Sequence, residues 1–203
     1  QVMERGSNVG LQALTRIAGL KERLSASQVS FRVGPRINAA GRMDSPMAAL
    51  ELLLEQDPEK ADRLARRLDN LNRYRQDTEE QIRNQALEML PLTHKPDCRV
   101  IVLGSREWHP GVVGIVASML MRRFNKPAFV ISLDENGVGK GSGRSVPGIS
   151  LVQALQHCAD TIVSGGGHEM AAGLVINEDQ IDAFREKFDA FARDCTPAEP
   201  SLP

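Results

Sequence analysis

Aromatic side chains and net charge are both scarce in this 203-residue chain. It contains six Phe, one Trp and one Tyr, and its formal net charge is −1 at pH 7. The low aromatic content leaves little material for stacking on nucleobases, and the charge balance gives no overall attraction to a polyanion. Any electrostatic contact with an anionic ligand must therefore be local.

Paired cysteines and long apolar runs are also missing. Cys98, Cys158 and Cys195 are odd in number and far apart, with no Cys-x-x-Cys pair, so neither a disulfide framework nor a zinc site is indicated. No stretch approaches eighteen continuous apolar residues, and no basic-then-apolar signal pattern opens the chain. These absences predict a protein of the reducing cytoplasm without membrane contact.

Length and composition are those of an ordinary globular protein. The chain has room for one large domain or two small ones, with 41% apolar and 25% charged residues. It begins at glutamine, and the composition of residues 195–203 predicts a disordered tail. We expect both ends to be cut from a longer protein.

Helical periodicity dominates the first half of the sequence. The apolar pattern predicts an amphipathic helix over residues 9–24, an ordered loop over 31–43, and further helices over 46–54 and 58–90. The last helix has no glycine or proline before Pro91. Its narrow apolar stripe and mixed charges, several arginines among them, are typical of a solvated connecting helix.

Strands and helices alternate after Pro96. Residues 99–103, 111–124 and 128–133 predict a strand, a helix and a second strand, which together make a βαβ unit. The remaining predicted elements are a polar edge strand or extended loop over 137–145, a helix over 151–158, brief strands over 161–163 and 172–176, and a closing helix over 178–193. The fold class is therefore α/β with a mixed sheet, and a boundary between two small domains falls near residues 88–97.

The segment Gly-Lys-Gly-Ser-Gly-Arg-Ser at residues 139–145 is rich in glycine and carries two cations. Glycine lets a backbone approach a ligand closely, and an arginine can donate paired hydrogen bonds to a phosphate. The spacing fits neither a Walker A loop nor G-x-G-x-x-G. The residues alone leave two interpretations open: a flexible hairpin tip, or an anion site at Ser142, Arg144 and Ser145.

Three consecutive glycines precede His168. Ordering such a segment costs about 1–2 kcal/mol of backbone entropy per residue, and a two-residue reversal needs at most two glycines. Either the segment binds a ligand, or it forms a tight turn whose histidine caps a neighbouring strand.

A third set of polar residues lies within residues 35–42. Arg36, Asn38 and Arg42 have side chains that can hold a phosphate or a base edge, and equally can bridge acids of the long helix. The nearby Asp44 either caps a helix or contacts the outer ligand shell of a metal ion.

His109 stands just before a predicted helix N-terminus, where exposed N–H groups attract anions. We rank it as a secondary ligand contact. The neighbouring Trp108 is more often a core residue than a stacking platform, and His94 and His157 have the character of structural or solvated residues.

Four segments, at residues 35–42, 107–118, 141–145 and 166–173, resemble in order and spacing the RecJ-type single-stranded-DNA exonucleases of the DHH phosphodiesterase superfamily. The last three resemble the accessory domain of that superfamily, DHHA1, and the resemblance covers roughly residues 8 to 193. The metal-binding lobe of the family, with its Asp-x-Asp and Asp-His-His signatures, is absent from this sequence.

The resemblance implies a division of the chain into a remnant of the catalytic lobe (1–57), a connecting helix (58–90), a DHHA1-like substrate-binding domain (97–194) and a tail (195–203). It implies 5′-to-3′ hydrolysis of single-stranded DNA in recombination and repair. The Mn²⁺ or Mg²⁺ ions of that chemistry would be bound by the missing lobe, and none is expected in this segment. We expect the segment alone to be inactive and to bind DNA weakly.

The resemblance also assigns roles to particular residues. His168 is implied to be catalytic, donating a hydrogen bond near the scissile phosphate. The implied substrate-binding residues are Arg36, Asn38, Arg42, His109, Ser142, Gly143, Arg144, Ser145, Gly166 and Gly167. On this interpretation Arg144 and His168 converge on one pocket. Two alternatives stay open: a phosphodiesterase of short oligonucleotides or cyclic dinucleotides, and a non-catalytic nucleic-acid-binding module of the kind attached to alanyl-tRNA synthetases.

Overall fold

A computed structural model describes residues 8–20 and 25–195 of the chain. The chain divides into two compact units, residues 1–78 and residues 79–203. Each unit has its own cluster of buried apolar side chains. Most of the predicted tail, residues 196–203, lies outside the described residues.

The N-terminal unit is helical. Its elements are α1 (Val9–Ile17), α2 (Ala26–Gln28), a π-helical turn (Val29–Val33), α3 (Gly34–Met43), α4 (Met47–Leu54) and the first part of α5 (Pro58–Thr93). The Asn8 side chain accepts a hydrogen bond from the backbone N–H of Leu11 and so caps α1. Buried side chains such as Leu14, Leu52 and Leu68 form the core of this unit.

Two predictions for this unit are wrong. The ordered loop expected over residues 31–43 is helical, because the π-helical turn continues directly into α3 and accommodates Pro35, which has no N–H to donate, at the start of α3; Ala39 and Ala40 are buried. The helix expected over residues 9–24 ends at Ile17 and is followed by Gly19 at φ +69°. The last part of that expected helix, residues 21–24, lies outside the described residues.

Helix α5 is 36 residues long, or about 54 Å at 1.5 Å per residue. The prediction of one long helix in this region is confirmed, and Pro91 lies within its last turn. Ala61, Ala65 and Leu68 on α5 pack into the core of the N-terminal unit.

The C-terminal unit is built on a five-stranded sheet. Its elements are β1 (Ile101–Ser105), α6 (Val113–Phe124), β2 (Ala128–Leu133), β3 (Val138–Arg144), α7 (Leu151–His157), β4 (Ser164–His168), β5 (Ala171–Asn177) and α8 (Ile181–Cys195). The strand order is β1-β2-β3-β5-β4, with β1 and β2 parallel and every other pair antiparallel. The predicted α/β class, βαβ unit and mixed sheet are confirmed.

The segment expected to be an edge strand or a loop is β3, which lies at the centre of the sheet. Packing against the neighbouring strands explains why β3 contains glycine at alternate positions. A methyl group on Gly143 would lie 2.4 Å from the Phe129 ring, one on Gly141 would lie 2.8 Å from Leu174, and one on Gly139 would lie 2.6 Å from Ile131. Large side chains of the neighbouring strands therefore occupy the space that side chains on β3 would need.

That face of the sheet is the buried one. The Phe129 ring meets the rings of Phe184 and Phe188 on α8 at centroid distances of 5.4 and 5.6 Å, both edge-on. Helix α7 adds Leu151 and Leu155 to the same core. Because side chains alternate along a strand, Lys140, Ser142 and Arg144 project from the opposite face.

The strand predicted over residues 161–163 is also misplaced. Thr161 ends a short 3₁₀ turn (Ala159–Thr161), and the strand in this region is the glycine-rich β4. Strand β4 forms a hairpin with β5 through the two-residue connection Glu169 and Met170. Another 3₁₀ turn, Glu178–Gln180, precedes α8.

Candidate nucleic-acid interface

One row of the sheet joins the two glycine-rich motifs. Arg144 on β3 pairs with Ala171 on β5, and Ala171 pairs with His168 on β4. Directly opposed residues of antiparallel strands place their side chains on the same face, and two strand spacings separate the Cα atoms of Arg144 and His168 by about 10 Å. Two segments that are distant in the sequence therefore meet across a single intervening strand.

We call this side of strands β3, β5 and β4 the open face. By register, its three rows are Arg144, Ala171 and His168; Ser142, Gly173 and Gly166; and Lys140, Val175 and Ser164. A methyl group on Gly166 would meet no atom within 4 Å, and all of β4 is exposed. The middle of the open face is thus a shallow floor of small residues between polar side chains.

The first turn of α6 forms a wall beside β3. A methyl group on Gly114 would lie 2.8 Å from Ser142 Oγ and 3.4 Å from Arg144 Nη2. The N-cap residue Val112 has no side-chain hydrogen bond to the helix. Because the N-terminal end of a helix carries partial positive charge, α6 adds to the attraction for an anion beside Ser142 and Arg144.

Arg144 is held along β3 by its own strand. Its Nη1 donates to the Gly143 carbonyl at 2.7 Å and to Ser142 Oγ at 3.2 Å. These contacts preorganise the guanidinium group beside α6. They also bring Ser142 and Arg144 together.

Two other predicted binding residues of this motif have structural contacts. Ser145 is 1% exposed, and its hydroxyl donates to the Ile149 carbonyl at 2.6 Å. This bond fixes the connection between β3 and α7. Gly143 lies against the Phe129 ring on the buried face, so the arrangement gives both residues a role in positioning β3.

The hairpin that carries His168 depends on glycine at one position. Gly167 has φ +148°, and a methyl group there would lie 2.5 Å from the Ala171 carbonyl oxygen. His168, the next residue, is exposed at the edge of the sheet. The hairpin tip also lines a groove of about 620 Å³, together with Ser150, which precedes α7, and with residues of α7 such as Gln153.

His109 and Trp108 precede α6. His109 is half-buried, and its Nδ1 accepts a hydrogen bond from the Gly111 N–H at 3.1 Å. Trp108 is 3% exposed and donates from Nε1 to Gln85 Oε1 at 2.7 Å. The tryptophan is a core residue, as its type favours, and its ring is not available for stacking on a base.

The three polar residues on α3 are divided between two sides of the helix. Arg36 donates from Nε to Asp69 Oδ1 at 2.8 Å, and Asp69 is only 5% exposed. Asn38 and Arg42 are four residues apart and exposed, so they share one helical face. Of the two roles left open for Arg36, the structure contains the ion pair with the long helix.

Asp44 pairs with an arginine of α5. Arg67 Nη2 donates to Asp44 Oδ2 at 2.6 Å. Within residues 8–20 and 25–195, no group of three or more His, Cys, Asp or Glu side chains is arranged to hold a metal ion. The same residues include no helix that is both long and apolar enough to cross a membrane.

The two remaining histidines lie away from the open face. His94 Nε2 accepts from the backbone N–H of Val102 at 2.9 Å, and Arg185 Nε donates to the Val102 carbonyl at 3.1 Å. His94 and Arg185 therefore satisfy the backbone N–H and carbonyl of Val102 on the edge strand β1. Burial, together with the positive charge of Arg185, lowers the pKa of His94 to about 4. His157 lies beside the Phe191 ring.

Residues 97–194 match the family model of the DHHA1 domain. This part of the chain is a DHHA1 domain. The chain is also homologous to RecJ exonucleases over most of its length. It is 35% identical to the single-stranded-DNA-specific exonuclease RecJ of Bacillus subtilis over 204 residues, which is 99% of this chain and 26% of that protein. It is 37% identical to Escherichia coli RecJ over 188 residues, which is 88% of this chain and 32% of that protein.

Solved RecJ structures have the same fold in this region. RecJ of Thermus thermophilus in complex with Mg²⁺ aligns with a TM-score of 0.82 and 37% identity, covering 94% of this chain and 29% of that one. An exonuclease RecJ bound to manganese aligns with a TM-score of 0.82 and 38% identity, covering 93% of this chain and 46% of that one. The resemblance inferred from the four segments is confirmed, and the chain spans about a quarter to a third of the curated relatives described above.

Two contributions to the open face were not assigned from the sequence. Gly114 lets α6 approach Ser142, and Gly173 keeps the floor free of side chains. Both residues lie inside segments that carry the RecJ resemblance. Their roles depend on the register of β3 and β5, which a single sequence does not contain.

Proposed function

We propose that this chain is the substrate-binding part of a 5′-to-3′ single-stranded-DNA exonuclease of recombination and repair. The observation that carries the proposal is the row Arg144, Ala171 and His168, which lines a floor of small residues with two side chains able to donate hydrogen bonds. The RecJ relatives are single-stranded-DNA-specific exonucleases, which supports single-stranded DNA as the ligand. The protein would act in the cytoplasm.

Arg144, Ser142 and the N-terminal end of α6 bind one phosphate in this proposal. A hydrogen bond to a charged group contributes about 1.5–3 kcal/mol when it is shielded from water, and less where solvent reaches it. His168, across the floor, donates a hydrogen bond close to the phosphate that is cleaved. Gly166 and Gly167 on β4 have no side chains, so the DNA backbone can approach this edge of the sheet closely.

The width of the floor favours a single strand. Only β5 separates the two polar borders, and it contributes Ala171 and Gly173 there. Such a floor accommodates one sugar-phosphate backbone. His109 is a secondary contact beside α6, while Ser145 and Gly143 keep β3 in place.

The N-terminal unit contributes a second set of contacts in this proposal. Asn38 and Arg42, exposed on one face of α3, bind backbone oxygens or a base edge. Arg36 acts through its ion pair with Asp69, which holds α3 against α5. Its role is therefore to position the other two residues.

Metal ions belong to another part of the whole enzyme. Related RecJ structures contain Mg²⁺ or Mn²⁺, and such ions activate water and neutralise charge at phosphorus. Because the described residues offer no metal-binding group, we assign this chain the positioning of DNA. Alone it is inactive and binds DNA weakly.

Titration of fluorescent nucleic acids tests this proposal. Anisotropy is measured with a single-stranded thymidine oligonucleotide, a duplex of equal length and a tRNA, each at two salt concentrations. We expect preference for the single strand, weaker binding at higher salt, and about tenfold weaker binding by Arg144→Gln. Arg83→Gln, a partly exposed site on α5, serves as the control. Equal binding of all three ligands, or wild-type affinity in Arg144→Gln, contradicts the proposal.

A further inference from the structure

Strand β3 carries a third polar side chain on the open face. Lys140 lies two residues before Ser142 and four before Arg144, so alternation places all three on the same side. At 3.3–3.4 Å per residue, the Cα atoms of Lys140 and Arg144 are about 13 Å apart. Lys140 is exposed, and the phosphate contacts proposed for Arg144, Ser142 and α6 do not include it.

The floor of small and neutral residues continues as far as Lys140. Its row contains Val175 on β5 and Ser164 on β4. None of the nine residues of the open face is acidic, and three of them are Lys140, Arg144 and His168. An anionic chain lying along β3 therefore meets no repulsive carboxylate within these three rows.

The ammonium group of Lys140 is not engaged elsewhere. Within residues 8–20 and 25–195 it forms no hydrogen bond or ion pair. An exposed lysine without a partner binds a phosphate without breaking an existing contact. This distinguishes Lys140 from Arg144, whose guanidinium group is held by Ser142 and Gly143.

We infer that single-stranded DNA runs along β3, and that Lys140 binds a second phosphate of the strand whose first phosphate lies at Arg144. This inference rests on the proposed function and adds the path of the strand. Ser142 lies on β3 halfway between Lys140 and Arg144. It is therefore beside the part of the DNA backbone that joins the two phosphates. Binding should therefore strengthen as the oligonucleotide becomes long enough to reach Lys140.

The opposite end of β3 offers the competing path. A groove of about 650 Å³ there is lined by Arg99, Lys126, Pro147 and mostly apolar neighbours, together with Asp97. Lys126 Nζ already donates to the Cys98 carbonyl at 2.5 Å. The engaged lysine and the carboxylate make this groove the poorer phosphate site, so it provides the matched control.

The test measures affinity as a function of ligand length, using this chain. Thymidine 5′-monophosphate and 5′-phosphorylated thymidine oligomers of two, four and eight nucleotides compete with a labelled oligomer for wild type, Lys140→Gln, Lys126→Gln and Arg144→Gln. We expect Lys140→Gln to bind the mononucleotide normally and the longer oligomers about threefold to tenfold more weakly. Its salt slope for the longer oligomers should fall by about 0.7, the value for one lost phosphate contact. Thermal melting checks that the variants fold.

Three results for the lysine variants would overturn the inference. Wild-type affinity of Lys140→Gln at every length overturns the inference, as does a length-dependent loss in Lys126→Gln instead. A uniform loss in Lys140→Gln, mononucleotide included, also overturns it, because Lys140 would then bind the first phosphate. If Arg144→Gln binds every ligand like wild type, or if wild type binds none of them, the proposed function itself fails. If Arg144→Gln binds more weakly but Lys140→Gln does not, only the inferred path of the DNA along β3 is rejected.

Discussion

Arg144 and His168 lie in one row of the sheet, joined through Ala171 on the strand between them. The arrangement depends on the register of three strands and not on flexible loops. Sites on regular elements hold their side chains in a defined geometry, which favours precise positioning of a phosphate.

His168→Ala should impair catalysis much more than stability. His168 is exposed, so its removal should leave the melting temperature nearly unchanged. In a complete enzyme that includes this segment, loss of one donor to the reacting phosphate should lower kcat by about 10²-fold or more. Single-turnover hydrolysis of labelled single-stranded DNA measures the effect.

His157→Ala is the matched control for that experiment, because His157 is also exposed and lies away from the open face. It should leave turnover unchanged. A large drop in melting temperature for His168→Ala with normal turnover would show that the histidine is structural.

Neighbouring glycines in β4 should respond differently to alanine. Gly167→Ala forces a side chain into φ +148° and brings its methyl group to 2.5 Å from the Ala171 oxygen, so we expect a loss of about 1–3 kcal/mol in the free energy of unfolding. Gly166→Ala places its methyl group in open space and should change stability by less than about 0.5 kcal/mol. Urea denaturation of both variants measures this difference, and equal stabilities would mean that the hairpin is wrongly described.

Stability should fall in mildly acidic solution because of His94. Its pKa is about 4 in the folded chain against 6.5 ordinarily, so the unfolded chain takes up the proton more readily. The contribution of neutral His94 is therefore complete above pH 6.5 and is lost as the pH falls towards 4. The loss should be on the order of 2 kcal/mol, allowing for the partial exposure of the ring.

His94→Gln isolates this effect, because glutamine keeps a hydrogen-bond acceptor but does not titrate. Unfolding free energies of both proteins are compared from about pH 7 to about pH 4, the interval that spans both protonation equilibria. A shallower slope in the variant supports the assignment. Identical slopes would show that other groups cause the whole pH dependence.

Arg36→Ala should destabilise the chain by about 1–3 kcal/mol, because it removes a partner of the nearly buried Asp69. Arg73, itself exposed, still pairs with Asp69 and limits the loss. Arg63→Ala, at an exposed position on α5, should change stability by less than about 0.5 kcal/mol. Chemical denaturation compares the two. Unchanged stability of Arg36→Ala together with weakened DNA binding would assign Arg36 to the ligand and not to Asp69.

The parts of the fold visible in the sequence are those governed by local pattern. Helix α5 could be predicted because no glycine or proline interrupts its periodicity before Pro91, and β2 because its apolar run is short and bounded. The sequence predicts a loop in place of α3 because Gly34, Pro35 and Gly41 interrupt the apolar periodicity, whereas in the structure a π-helical turn runs directly into α3 and accommodates Pro35.

The glycines of β3 show what local pattern cannot supply. Gly143 on β3 pairs with Phe129 on β2, and the Phe129 ring fills the space that a side chain at Gly143 would need. Neither a turn nor a ligand is the reason for this glycine. This packing is visible only when the register of β2 and β3 is known. The family resemblance implies that Arg144 and His168 converge on one pocket, but the row that joins them through Ala171 is visible only when the register of the sheet is known.

Nuclear magnetic resonance of the ¹⁵N-labelled chain, titrated with a 5′-phosphorylated thymidine dinucleotide, tests the central claim most directly. We predict that backbone amide shifts will change at Ser142, Arg144, Ala171, Gly173 and His168, and will stay unchanged along the α8 residues that cover the opposite face. Shifts confined to α8 or absent from the open face would contradict the claim that Arg144 and His168 border one binding site for single-stranded DNA.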